Sequence, residues 1–327
     1  MKEILMMRGA KNIVEKCASI NPRGKALIVT DLELVSSAQI LAQVAYANGA
    51  EVSICIMTPR EVDGQEPPET IAAAMQKAEV ILTPVSKSLA HAKATEEATA
   101  GGARVLSLTA LTEELMASDA WEANFEKERP TVEKVAQLFT QAKEVKITSP
   151  AGTNLKVSAD GRKGNAHSCL VDQPGQFSAA PNIEANFAPV EGTAEGTFVA
   201  DGSIPYLGIG LLSTPVTFII EKGKVVKIEG EKEAKKIRDI WVEQHDPNVY
   251  NIAQVAVGLN PKIKAVIGTL GCNYDEGAFG TVHIGIGTSS TLGGTVRAPT
   301  HFDAVMNKPT MELDGKVLLK DGELLLQ

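Results

Sequence analysis

Pro22-Arg-Gly24 followed by Lys25-Ala-Leu-Ile-Val-Thr30 and Asp31 is the stretch on which the fold turns. A turn signal opens it, a short aliphatic run fills it, and a carboxylate closes it. That is the pattern of a buried parallel strand ending at the carboxyl edge of a sheet. The same unit recurs at residues 51–57, 79–83 and 104–108. Helical patterns lie between these runs: residues 36–48 stopped by Gly49, residues 67–77 with Pro67 at their start, and residues 89–100 closed by Gly101-Gly102. Proline is pre-set for the first helical position and glycine for the residue past the end. Residues 111–117 and 131–142 read as further helices. Strand–helix alternation at this spacing predicts an α/β N-terminal domain, residues 1–145, built on a doubly wound parallel sheet.

From Glu144 the period changes. Residues 145–148 and 154–158 flank Ser149-Pro-Ala-Gly152 as a hairpin. Strands are expected at 196–199, 216–221 and 224–229, the last two joined by Lys222-Gly223, and a helix at 231–242. Asp314-Gly315 and Asp321-Gly322 are hairpin turns. Residues 146–327 are therefore expected to form an α+β, mostly antiparallel C-terminal domain, which carries the chemistry.

Composition narrows the function. Hydrophobic residues make up 44% of the 327, ordinary for a globular chain long enough for two domains. A net charge of −8 without a basic cluster argues against nucleic acid as a partner. Met1-Lys-Glu-Ile-Leu-Met-Met-Arg8 is too charged for a signal peptide. No run approaches the ~18 apolar residues of a membrane helix. A cytoplasmic protein without membrane contact is expected. Cys17, Cys55, Cys169 and Cys272 lie far apart without a Cys-x-x-Cys pair, as reduced thiols do. No Gly-x-Gly-x-x-Gly or Walker-type loop follows the strands, so no nucleotide site is expected.

The chemistry concentrates in His301-Phe-Asp303 and Thr281-Val-His283-Ile-Gly-Ile-Gly287, which hold two of the five histidines. In a strand, residues two apart share a face, so His301 and Asp303 can reach one ion. The second run puts His283, Gly285 and Gly287 on one face and Val282, Ile284 and Ile286 on the other. Glycines beside a histidine leave room for a ligand. Two imidazoles and a carboxylate are a minimal set for a divalent metal with open positions. Glu184, within Pro181-Asn-Ile-Glu-Ala-Asn-Phe-Ala-Pro189, and Glu276, within Tyr274-Asp-Glu-Gly277, are candidate extra ligands or general bases. Cys272 stands close by in the sequence. Gln254 is the polar residue inside Asn251-Ile-Ala-Gln-Val-Ala-Val-Gly258, read as a short apolar helix. In the first domain, polar groups gather in Thr83-Pro-Val-Ser-Lys-Ser-Leu-Ala-His91, with His91 in the first turn of the next helix. Two metals would suit hydrolysis by a bridged hydroxide. One ferrous ion would leave positions for a bidentate substrate and dioxygen. Spacing leaves both open.

At these residues the chain resembles the aminopeptidase T and aminopeptidase S metallopeptidases, also called leucyl aminopeptidases. Glu184 to Pro189 is similar to that family's Gly-Glu-x-x-x-x-Pro, with Ile183 in place of the glycine. Residues 251–258 are similar to its Asn-x-Ala-Glu-x-x-x-Gly, with Gln254 in place of the glutamate. Asp275-Glu276 and His283 through Gly287 resemble its Asp-Glu-Asn-Ala-x-x-His-x-x-x-Gly, with two extra residues between, and His301 and Asp303 match its His-x-Asp. The resemblance implies Glu184, Gln254, His283, His301 and Asp303 as metal ligands of a dinuclear site, and a homodimer. The chain also resembles a sister branch, the 2,5-dihydroxypyridine 5,6-dioxygenases. That likeness implies ferrous iron held by His301, Asp303 and a histidine at the position of Gln254, with His283 available as the second imidazole and His91 facing the substrate.

Two reactions follow as expectations. The first is a metal-dependent hydrolase with one or two ions (Zn, Co, Mn or Fe(II)) acting on a short peptide or a small cyclic amide or carbonyl compound. In it, bound water loses its proton to Glu276 or Glu184. The second is a ferrous ring-cleaving dioxygenase with His91 moving a proton.

Overall fold

The computed structural model describes residues 2–205, 207–263 and 272–326. The chain divides into two compact units, Met1–Lys127 with His167–Pro181, and Glu128–Ala166 with Asn182–Gln327.

The first unit is a five-stranded parallel sheet in the order Glu51–Met57, Lys25–Asp31, Val80–Thr83, Arg104–Ser107, Phe177–Ala179. The strand opened by Gly24 is thus interior, with the second strand on one side and the third on the other. Its aliphatic run is buried because both faces are covered, as all-parallel sheets require. Leu27, Val29, Ile81, Val105, Ile71 and Met75 share one core cluster. The helix expected at 89–100 starts later, at Lys93–Ala100. Glu66 accepts from Lys93 N at 2.5 Å and Ala94 N at 3.1 Å, so a carboxylate from another segment caps the true N-terminus. His91 therefore precedes the helix rather than sitting in its first turn. The helix expected from Thr131 begins at Phe125, capped by Asn124 Oδ1 accepting from Lys127 N, with Pro130 inside it.

The second unit holds two antiparallel systems. Eight strands follow the order Lys224–Glu229, Val216–Glu221, Glu195–Ala200, Asn154–Ser158, Glu144–Thr148, Thr310–Leu313, Lys316–Lys320, Glu323–Leu324. Asp314-Gly315 and Asp321-Gly322 are left-handed at both residues (φ 49° and 78°, 50° and 84°), the geometry that two-residue hairpins favour. The other sheet runs His301–Met306, Val282–Gly287, Ile252–Gly258, Glu184–Phe187, Asn165–His167. Residues 252–258, read from the sequence as a helix, are a fully buried strand. Ile252, Val255 and Val257 are β-branched, and the run is the length of a strand rather than of a helix. Among the described residues, no helix is long and apolar enough to cross a membrane.

This second sheet is two-faced. Val255, Val257, Ile284, Ile286, Phe302 and Ala304 form its apolar side and are fully buried. Phe302 stands 5.2 Å from the ring of Trp241, on the helix Lys232–Glu243. Trp241 in turn meets Tyr250 at 5.0 Å and Phe218 at 6.5 Å. Aromatic rings packed edge and face at such distances stabilise beyond their area. Phe302→Ala is expected to lower unfolding stability by about 3–5 kcal/mol, read from urea unfolding. A loss under ~1 kcal/mol would mean that the aromatic cluster does not support this sheet.

Candidate metal centre

The other face of the same sheet is polar and buried. Register pairs Gln254 with Gly285 and Gly285 with Asp303, so the three form one row across neighbouring strands. His301 pairs with Gly287, His283 with Ala256, and Glu184 with Gly258, all on this face. Gln254 reaches it through a β-bulge. Ile252 pairs with Ile286 but Gln254 with Gly285, so one residue is extra between them. The bulge sends Ile252 to the apolar side and Gln254 to the polar one, a re-aiming that regular alternation forbids.

The functional atoms converge. His301 Nε2 lies 3.4 Å from Asp303 Oδ1, and His283 Nε2 lies 3.8 Å from both Asp303 Oδ1 and Glu184 Oε2. Gln254 stands among them, with Nε2 3.2 Å from His283 Nε2 and 3.2 Å from Glu184 Oε1, and Oε1 3.1 Å from His301 Nε2. Asn186 Nδ2 donates to the same Glu184 Oε1 at 2.7 Å. Both rings are anchored from behind. His283 Nδ1 faces the Glu276 carbonyl at 3.2 Å, and His301 Nδ1 faces the Thr288 carbonyl at 2.7 Å. A carbonyl only accepts, so each Nδ1 carries a proton and each Nε2 is the nitrogen turned to the centre. Backbone anchoring of this kind is what orients metal-bound imidazoles.

Glu184, an acceptor, faces the Gln254 nitrogen, which fixes the amide: Nε2 donates to Glu184 and to the His283 lone pair, and Oε1 accepts from His301. His301 is then a donor at both nitrogens. Burial works against that charge, but the Asp303 carboxylate, the Thr288 carbonyl and Glu184 outweigh it and raise the imidazolium pKa above its ordinary value.

By type, two imidazoles and a carboxylate are donors that a divalent ion takes. Two ligands held at about 2.0–2.1 Å stand about 3 Å apart at right angles and about 4 Å apart when opposite. Separations of 3.4 and 3.8 Å among His301, His283 and Asp303 lie in that range. Among the described residues, no group of three or more His, Cys, Asp or Glu side chains is drawn together closely enough to hold a metal ion. The Gln254 amide is bonded to both imidazoles where a closed cluster would draw together. Gly285 makes the space: a Cβ there would lie 2.7 Å from Gln254 Cβ and 2.8 Å from His301 Nε2.

The remaining candidates are placed differently. The Glu276 carboxylate accepts from Asn182 Nδ2 at 3.2 Å, and its contact with His283 is through the main chain. The Cys272 thiol is pushed up to about 12, by burial first and by Asp275 and Glu276 besides. His91 belongs to the first unit and sits in the turn before Lys93–Ala100. Asn186 was not singled out from the sequence. Its signal was there: Asn182, Glu184 and Asn186 alternate with Ile183, Ala185 and Phe187, a strand pattern hidden by the flanking prolines.

Known proteins bear on this geometry. The profile of the 2,5-dihydroxypyridine 5,6-dioxygenase family matches residues 47–326. A 2,5-dihydroxypyridine 5,6-dioxygenase of Pseudomonas putida KT2440 is 28% identical over 195 residues, 58% of this chain and 56% of that relative. The match thus spans little more than half of the relative's length. The solved structure of 2,5-dihydroxypyridine dioxygenase from Pseudomonas putida KT2440 superposes with a TM-score of 0.84 at 19% identity, covering 99% of this chain and 98% of that one. Wild-type AmpT from Thermus thermophilus superposes with a TM-score of 0.73 at 17% identity over both whole chains. At these identities the structural likeness is one of fold. The profile and the curated relative overturn the expectation of a hydrolase resembling aminopeptidase T and agree with the oxygenase alternative.

Two outcomes test the geometry. Gly285→Ala should displace the His301 ring, costing about 1–3 kcal/mol in urea unfolding and abolishing metal retention. Full retention would mean that the ring has another place to go. The folded pKa of His301 lies above its unfolded value of about 6.5. Its stabilisation is therefore fully present below that pH and fades as pH rises through the raised value. The stability difference between wild type and His301→Gln, from urea unfolding at stepped pH, should shrink toward alkaline pH. A growing difference would contradict the assignment.

Proposed function

The chain belongs to the 2,5-dihydroxypyridine 5,6-dioxygenase family, and from that premise we propose that it is a ferrous-iron dioxygenase that opens a hydroxylated pyridine ring with both atoms of dioxygen. The observation that carries the proposal is that two imidazoles, His283 and His301, both lie within 3.8 Å of Asp303 Oδ1 on one buried sheet face. Two neutral nitrogens and one carboxylate leave coordination positions open, the donor set of ferrous oxygenases.

The ferrous ion supplies the one-electron chemistry that dioxygen needs to react with a closed-shell ring. The rest is work for the chain's own groups. His283, His301 and Asp303 would hold the ion, and a protonated His301 would give up its Nε2 proton as it binds, so that binding would release a proton. Glu184 has one oxygen tied by Asn186 and Gln254 and the other turned toward His283. In this reading it accepts the proton of a substrate hydroxyl. His91 is the second proton-transfer group, by family resemblance. Gln254 stands where the family places an iron-binding histidine. Its amide lies 3.2 Å from His283 Nε2, which supports His283, one strand over, as the replacement imidazole. The apolar side of the sheet excludes water from behind the centre. The homodimer and the cytoplasmic location expected from the sequence belong to the same proposal.

Protein loaded anaerobically with Fe(II) should consume dioxygen one-to-one with loss of 2,5-dihydroxypyridine absorbance. His301→Ala and Asp303→Ala should each lower that rate by about 100-fold or more and lose iron. Wild-type protein that takes up no iron and no dioxygen would sink the proposal. Gln254→His should tighten Fe(II) binding by about tenfold, because it adds the imidazole that the family uses there. Weaker binding would show that His283 has taken over the space as well as the role.

A further inference from the structure

Between the strands Val282–Gly287 and His301–Met306 runs a segment from Thr288 to Thr300 whose two ends both reach the centre. At its base, the Thr288 carbonyl accepts from His301 Nδ1 at 2.7 Å, and Thr288 N donates to the Thr300 carbonyl at 2.9 Å. At its crest, the Leu292 carbonyl accepts from Asn165 Nδ2 at 3.1 Å, and the same nitrogen donates to Asn186 Oδ1 at 3.0 Å. Asn186 donates onward to Glu184, and Glu184 accepts from Gln254, which faces both imidazoles. Segment and centre thus close one hydrogen-bonded ring.

The segment is clamped from outside by an ion pair. Glu191 Oε1 accepts from Thr295 N at 2.8 Å and Thr295 Oγ1 at 2.9 Å, and its other oxygen pairs with Arg162. Arg162 Nη1 donates to the Gly293 carbonyl at 2.9 Å. Next to Thr295, the Val296 carbonyl accepts from Ser289 N at 2.9 Å, Ser290 N at 3.1 Å and Thr288 Oγ1 at 3.2 Å. The path from Glu191 to His301 is therefore continuous: carboxylate, Thr295, Val296 carbonyl, Thr288, imidazole. Burial works against charge on Glu191, but donors from its own main chain and from Thr295, with the Arg162 guanidinium, outweigh it and hold its carboxyl below the usual range.

We infer that Glu191, locked by Arg162, is a positioning residue of the centre: by fixing Thr295 it sets the Thr288 carbonyl that orients His301, and so tunes metal affinity without touching the metal. This rests on the metal-binding reading of His283, His301 and Asp303. Outer partners of metal-bound imidazoles typically govern affinity by about 10–100-fold, and a clamp one step further out belongs at the lower end.

Cobalt(II) titration of the metal-free full chain tests it, read by the visible ligand-field bands and the dissociation constant, with urea unfolding of the metal-free protein alongside. Glu191→Ala should weaken cobalt binding by about tenfold and shift the bands, more than any change in unfolding midpoint accounts for. Glu191→Gln keeps an acceptor for Thr295 and should recover part of the affinity. Wild-type affinity and bands in Glu191→Ala would overturn the inference. Should that variant not fold, Thr295→Val decides, since it deletes one hydroxyl at an exposed position: weaker binding supports the clamp and unchanged binding overturns it. Wild-type protein that takes up no cobalt is a different failure, that of the metal reading itself.

Discussion

Carboxylates and imidazoles carried into a protein interior must find compensating charge and hydrogen bonds, because an unpaired buried charge costs several kcal/mol. The sheet meets that demand on one face by linking Glu184, Gln254, His283 and His301 through donors and acceptors, with Asp303 set beside the His301 imidazole. Its other face meets the opposite demand, burying aliphatic side chains and Phe302 against Trp241. Strand alternation lets one ladder do both. The polar cluster is held in place because residues beside it in sequence, Ile183, Ala185, Ala253, Val255, Val282, Ile284, Phe302 and Ala304, are buried in the core.

Much of this was legible because period and turn chemistry are local. Aliphatic runs gave the parallel strands, Asp-Gly and Lys222-Gly223 gave the hairpin turns, and the alternation through His283 gave its face correctly. The strand at Gln254 was not legible for a specific reason. A β-bulge puts Ile252 and Gln254 on opposite faces, so the run loses the two-residue period at the residue that matters. The Phe177–Ala179 strand was missed as well. It is short, and its partner Arg104–Ser107 is distant in sequence. The Glu66 cap shows the same limit: the start of the helix at Lys93 is decided by a carboxylate from another segment.

Gln254 gains its meaning from tertiary contacts. Read alone, an amide in a ligand's place argues for a weakened site. Among its neighbours it is a two-sided hydrogen-bonding spacer, donating to Glu184 and His283 and accepting from His301. An ionised side chain there would add another negative charge beside Glu184 and Asp303. A neutral one lets the two carboxylates share a single cation.

The Phe177–Ala179 strand has a consequence for how the molecule is made. It completes the first unit's sheet by pairing in parallel with Arg104–Ser107, although much of the second unit's first hairpin is encoded between them. During synthesis the first unit therefore waits, its Arg104–Ser107 edge open, until residues up to Ala179 have emerged. An open strand edge is a template for other chains. Over the interval between those two segments, the Arg104–Ser107 edge has no cover from its own chain.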